Sequence, residues 1–75
     1  MKELLELIAK NLVDDPSAVV VNEKQGENGV ILELSVAQAD MGKVIGKQGR
    51  IAKAIRTVVK ASAMHNDVMV TVDIV

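Results

Sequence analysis

The sequence predicts an α+β fold of order α-β-β-α-α-β, with a mixed three-stranded sheet and three helices on one of its faces. Three observations lead there. Two segments, one at the start of the chain and one after Gly49, carry apolar residues at helical spacing, while three other stretches carry them at strand spacing. A glycine-bracketed turn, Gly46-Lys47-Gln48-Gly49, separates two helical segments. The first two strands are joined by a tight turn and so pair antiparallel, whereas two helices lie between strands two and three, a crossover long enough for parallel pairing.

Taken in order, Leu4, Leu5, Ile8 and Leu12 recur at helical spacing with Lys2, Glu3, Glu6 and Lys10 between them, predicting an amphipathic helix over 2–13. Asp14-Asp15-Pro16-Ser17 ends it, because proline disfavours helix at the residue before it. Ala18 to Gln25 is short and rich in valine, hence a strand. Gly26-Glu27-Asn28-Gly29 supplies residues that tolerate positive φ, as a hairpin turn needs. In the next strand, Val30 to Ala37, alternation puts Val30, Leu32, Leu34 and Val36 on one face and Ile31, Glu33 and Ser35 on the other.

Asp40 reads as the N-cap of a short helix, Met41–Ile45, which Gly46 stops. Gly49 opens a longer helix reaching Met64. On its wheel Ile51, Ala54, Ile55, Val58, Val59 and Ser62 share one arc, and Arg50, Lys53, Arg56 and Lys60 share the opposite one. The apolar arc is expected on the sheet and the basic arc in solvent. His65-Asn66-Asp67 reads as a turn, and Val68 to Val75 as a strand burying Val68, Val70, Val72 and Ile74.

Seventy-five residues are expected to make a single domain, 1–75. A chain of this size buries only about 60% of its unfolded surface. It has no cysteine, so neither disulfide nor thiolate metal site supports it, and the 49% apolar content must build the core alone. The longest uninterrupted apolar stretch, Ala18–Val21, is far short of a membrane span, and Glu3 and Glu6 do not suit a secretion signal. A cytoplasmic protein without membrane, metal or cofactor is expected.

The net charge of −1 argues against a nucleic-acid partner, but its distribution argues for one. Between Asp40 and Lys60 six basic residues face one acid, whereas the rest of the chain holds three basic and nine acidic groups. This segregation makes a local positive field on an otherwise acidic chain. The field surrounds the glycine turn. A second helix beginning there offers amides without intrahelical partners and the positive end of its dipole. Glycine at 46 and 49 removes Cβ atoms that would hold a sugar–phosphate chain off the backbone. Such a turn holds a backbone and does not cut one.

Rival readings fail on their chemistry. Gly42-Lys43-Val44-Ile45-Gly46-Lys47 is one residue short of a P-loop, has Gln48 where the metal-binding hydroxyl belongs, and does not follow a strand. Gly42 and Gly46 match a membrane-helix contact motif, without a membrane helix to carry it. Ser62 and His65 lack an orienting acid nearby, and His65 is better read as a helix-end residue favoured by the dipole. Asp14-Asp15 stand before a proline in a turn, where acids are routine. The four methionines are scattered and read as packing residues.

Val44-Ile45-Gly46-Lys47-Gln48-Gly49, followed by the amphipathic Arg50–Lys60, resembles the Val-Ile-Gly-x-x-Gly core of a KH domain. The element order matches the bacterial, type II arrangement, and the run Met41–Ala61 together with the chain length is similar to the KhpA family of small stand-alone KH proteins. Many KH domains have an aliphatic residue three positions after the second glycine; here it is Ala52, flanked by Ile51 and Ile55. The resemblance implies a non-catalytic protein that binds single-stranded RNA, as an RNA chaperone or post-transcriptional regulator. Gly46, Lys47, Gln48 and Gly49 would clamp the RNA backbone, with Lys43, Arg50 and Lys53, and less directly Arg56, as further phosphate contacts. Val44, Ile45 and Ile51 would help floor the base groove. The family also implies partners, as a homodimer or a heterodimer with the larger KhpB-type RNA-binding protein.

The chain has no Phe, Tyr or Trp. Base stacking on aromatics contributes ~1–3 kcal/mol per base, so binding here is expected to be weak and loosely specific. Useful affinity then calls for a second linked site. The alternative is a protein-interaction module that works by dimerising, through the outer sheet face (Ile31, Met69, Val75) and Val59 at the edge of the apolar arc.

Overall fold

A computed structural model describes residues 1–65 and 68–75. Helix α1 (Lys2–Leu12) leads through a 3-10 turn (Pro16–Ala18) into the hairpin β1 (Val20–Gly26) and β2 (Gly29–Ser35). A second 3-10 turn (Gln38–Asp40), α2 (Met41–Ile45), the Lys47–Gly49 turn and α3 (Arg50–His65) follow, and β3 (Val70–Ile74) closes the chain. The element order is the expected one. Strand β1 starts later than Ala18 because Pro16, with its fixed φ, opens a turn that takes in Ala18. Asn66 and Asp67 of the expected turn lie outside the described residues.

The sheet has the order β1-β2-β3, with β1 antiparallel and β3 parallel to β2. Pairing runs from Val20 opposite Ser35 to Gly26 opposite Gly29, and from Val30 beside Val70 to Leu34 beside Ile74. This register puts Val21, Leu32, Leu34, Val70 and Val72 on one face, where they meet Leu5 and Ala9 of α1, Val44 of α2 and Ile55, Val59 and Ala63 of α3. The opposite face is polar at its centre: Lys24 pairs with Glu33 at 3.1 Å, and Glu33 lies beside Asp73.

Helix α3 differs from its wheel. Its buried row is Ala52, Ile55, Val59 and Ala63, while Ala54 and Val58 are exposed. The helix is turned so that alanines 52 and 63 face the core, because small side chains let it approach the sheet closely. Val59, expected at the edge of the arc, is fully buried and offers no surface.

Candidate nucleic-acid interface

Helix α2 is one turn long, and Gly46 ends it with φ 74° and ψ 176°, its amide donating to the Gly42 carbonyl at 2.8 Å. The chain then makes a 3-10 turn: the Gly49 amide donates to Gly46 O at 3.2 Å, and the Arg50 amide donates to Lys47 O. Two amides expected free at the start of α3 are thus already bonded. Among the described residues, no carbonyl outside the helices and strands accepts from the Lys47 or Gln48 amide. Gln48 adopts the left-handed conformation (φ 56°, ψ 26°), one half of the pairing that in anion-binding concavities turns successive amides to one side. Lys47 and Gln48 are both exposed at the tip.

The two glycines serve different ends. A Cβ on Gly46 would stand 2.6 Å from Ile51 Cγ1, so that glycine lets α3 fold back against the loop. A Cβ on Gly49 would meet nothing within 4 Å, so its φ of 74° and the open space before it are what glycine supplies there. Of the two, Gly49 alone leaves open space where a side chain would stand.

The cations around the loop divide into two sets. Lys47, Arg50 and Lys53 are exposed and make no ion pair among the described residues. Lys43 differs: its ammonium is held by Asp14 and, at 3.4 Å, by Asp40. The Asp14 carboxylate, against a smaller cost of burial and with Asp40 assisting, raises the Lys43 pKa. Arg56 is also engaged, its Nε–H donating to the Val72 carbonyl at 3.1 Å on the open edge of β3. The basic residues of α3 are all exposed, as expected of a solvent arc. Within that arc Lys53, Arg56 and Lys60 form a row at helical spacing from which Arg56 reaches β3, while the Arg50 stem lines the side facing α1.

Asp40 stands at the expected N-cap position of α2, but its side chain makes no capping bond there. It is 3% exposed, and its Oδ2 accepts from the Asp15 amide at 3.1 Å. Burial pushes its carboxyl up, but hydrogen bonds from the Asp15 and Asp14 amides and from Lys43 outweigh it, leaving the pKa below the ordinary carboxylate value. Sequence reasoning missed this tie. Only the Asp40–Lys43 spacing of one helical turn hinted at it; the two aspartates after α1 did not.

On the α1 side of α3 runs a groove of about 420 Å³ between Ile8 and Leu12 of α1 and Ile51, Ala54 and Val58 of α3. Val44, expected to floor a base groove, is fully buried, Ile45 is at the surface and Ile51 lies between the two. Among the described residues no His, Cys, Asp and Glu cluster has metal-binding geometry, and no helix is long and apolar enough to cross a membrane.

Comparison with known proteins places this geometry. The KhpA/KhpB KH-domain model matches residues 2–74. The RNA-binding protein KhpA of Clostridium perfringens is 65% identical over 75 residues, covering all of both chains. Its namesake from Chlamydia pneumoniae is 53% identical over 74 residues, 99% of this chain and 95% of that one. In fold, the chain is similar to part of Aquifex aeolicus Era: TM-score 0.65 at 20% identity, over 97% of this chain and 28% of that one. With the order α-β-β-α-α-β and its mixed sheet, the fold is the type II KH arrangement, and the chain belongs to the KhpA/KhpB KH-domain family.

Proposed function

We propose that this chain is a cytoplasmic, non-catalytic RNA-binding protein that holds the backbone of single-stranded RNA at Gly46-Lys47-Gln48-Gly49. The observation that carries the reading is the loop itself: Lys47 and Gln48 exposed at its tip, Gln48 left-handed, beside open space at Gly49. Lys47, Arg50 and Lys53 supply unpaired positive charge around it. Relatives named as RNA-binding proteins at up to 65% identity support the same conclusion. With no aromatic ring to stack on bases, affinity rests on phosphates, and the protein acts as a loosely selective RNA chaperone or post-transcriptional regulator. If about three phosphates are neutralised, log K falls against log salt with a slope near roughly −2.

The test is Lys47→Asp together with Gln48→Asp, both glycines retained. Circular dichroism and mass in solution should match the parent, while anisotropy titration with labelled single-stranded RNA should show binding lost. Binding equal to the parent at moderate salt removes the loop from the site.

A second reading, pairing with another copy or with a KhpB-type protein, is favoured by the α1–α3 groove. Its lining is apolar, Val58 is 49% exposed, and the Lys53–Arg56–Lys60 row lies on the other flank of the helix. Two chains joined there would raise the effective concentration of the second site. Val58→Glu is expected to give a monomer in sedimentation and to weaken RNA binding without changing the salt slope per chain.

A further inference from the structure

Helix α2 carries the loop at its C-terminal end yet cannot set its own direction. Helices shorter than about 12 residues are marginal by themselves, and α2 has five. Its placement is decided by what its side chains hold. Val44 is fully buried in the core. The other hold is electrostatic. Asp40, the one buried charged side chain among the described residues, accepts from the Asp15 amide and, with Asp14, grips the Lys43 ammonium. These bonds fasten the connection after α1 to the first turn of α2, just ahead of Gly46.

We propose that Asp40, Lys43 and Asp14 form a brace that positions the RNA clamp, with Lys43 acting through the direction of α2 and not on a phosphate. The inference rests on the reading that the Gly46–Gly49 loop holds RNA. Three features of the brace support it. Two carboxylates already surround Lys43, so a phosphate would have to displace one of them. The buried Asp40 would lose its cation if Lys43 left, which isolates a carboxylate away from water. And Lys43 lies on the side of α2 that meets Asp14, whereas Lys47 and Gln48 stand exposed at the loop tip.

The experiment uses the full chain, a labelled single-stranded RNA and four variants. Lys43→Gln is expected to weaken binding about three- to tenfold, as loss of a positioning contact does. The salt slope should stay at the parent value, and the Gly46 and Gly49 amide resonances of the free protein should move. Lys43→Arg, which keeps the ion pairs, should restore both. Asp14→Asn, at a carboxylate 81% exposed and so safe for folding, should weaken binding in the same direction but less. A salt slope shallower by about 0.7 in Lys43→Gln makes Lys43 a phosphate contact and overturns the proposal. So does Asp14→Asn that binds more tightly with a slope steeper by about 0.7, since Asp14 would then be competing with RNA for the lysine. Unchanged affinity and unchanged loop resonances in Lys43→Gln overturn it as well. The loop variant Lys47→Asp/Gln48→Asp is the fourth. If it alone keeps full binding, the loop reading has failed, and that result is distinct from failure of the brace.

Discussion

The chain contains the pattern glycine–two residues–glycine twice, and the two copies have nothing in common beyond it. Gly26-Glu27-Asn28-Gly29 joins antiparallel strands, its glycines paired opposite each other across the hairpin. Gly46-Lys47-Gln48-Gly49 joins two helices and carries three positive φ values in four residues. In the hairpin, Gly29 is needed because a Cβ would stand 2.2 Å from the Met69 carbonyl oxygen, where β3 begins to pair. In the helical turn, Gly46 accommodates Ile51, and Gly49 faces open space. One turn is acidic and internally committed. The other is basic, and its two central residues stand exposed. The spacing of glycines thus says where a chain bends, while charge and the flanking elements distinguish one bend from the other.

The largest test of that contrast exchanges the charges. Glu27→Lys with Asn28→Lys makes the hairpin turn more basic than the loop. RNA affinity is expected to stay within about twofold of the parent, because added charge without a held backbone geometry gives only long-range attraction. A gain approaching the loss seen on acidifying the Gly46–Gly49 turn would mean that charge alone carries binding.

Next in size are the glycines. Gly29→Ala and Gly46→Ala each combine a positive φ with overlap under 3 Å, and each should cost about 3 kcal/mol or more in urea unfolding. Gly49→Ala meets nothing and should cost only about 1–2 kcal/mol through its φ, yet weaken RNA binding more than its stability loss explains. Gly26→Ala, whose φ is not positive and whose Cβ would sit 3.2 Å from the movable end of Ile31, should cost least. If Gly49→Ala binds RNA as the parent does, the open space beside Gly49 is not an approach path.

The smallest effect is with acid. Because the folded pKa of Asp40 lies below its unfolded value, the stability it supplies is fully present above about pH 4 and is lost as pH falls through the folded value. Asp40→Asn should be less stable than the parent at neutral pH, and the gap between their urea midpoints should narrow below that point. A constant gap down to acid would mean that Asp40 stabilises by shape alone.

Local periodicity made most of the fold legible. Met41–Ile45 stands at its expected bounds, and α1, α3 and β2 lie within two residues of theirs, because each is delimited by glycine, proline or a clear change of hydrophobic period. The parallel placement of β3 followed from connection length alone. What periodicity could not supply was the rotation of α3. A wheel centred on Ile51, Ile55 and Val58 takes in Ala54, while the sheet takes Ala52 and Ala63. Nor could it supply partners distant in the chain. Lys43 and Arg56 read as free cations by spacing, and the groups that engage them, Asp14 and the Val72 carbonyl, are neighbours only after folding. The loop was legible as a bend, and the amides that its 3-10 turn consumes were not, since they depend on the conformation at Gln48.

The loop lies inside the crossover between β2 and β3, and that has a consequence for the order of events during synthesis. A nascent chain that has produced residues 1–65 already contains every glycine and cation of the clamp. It lacks Val70 and Val72, which complete the packed face beneath α3, and the Val72 carbonyl that holds Arg56. Until that last strand pairs with β2, α3 lacks part of the surface it packs on, so the helix that follows the glycine turn is fully seated only once β3 is made.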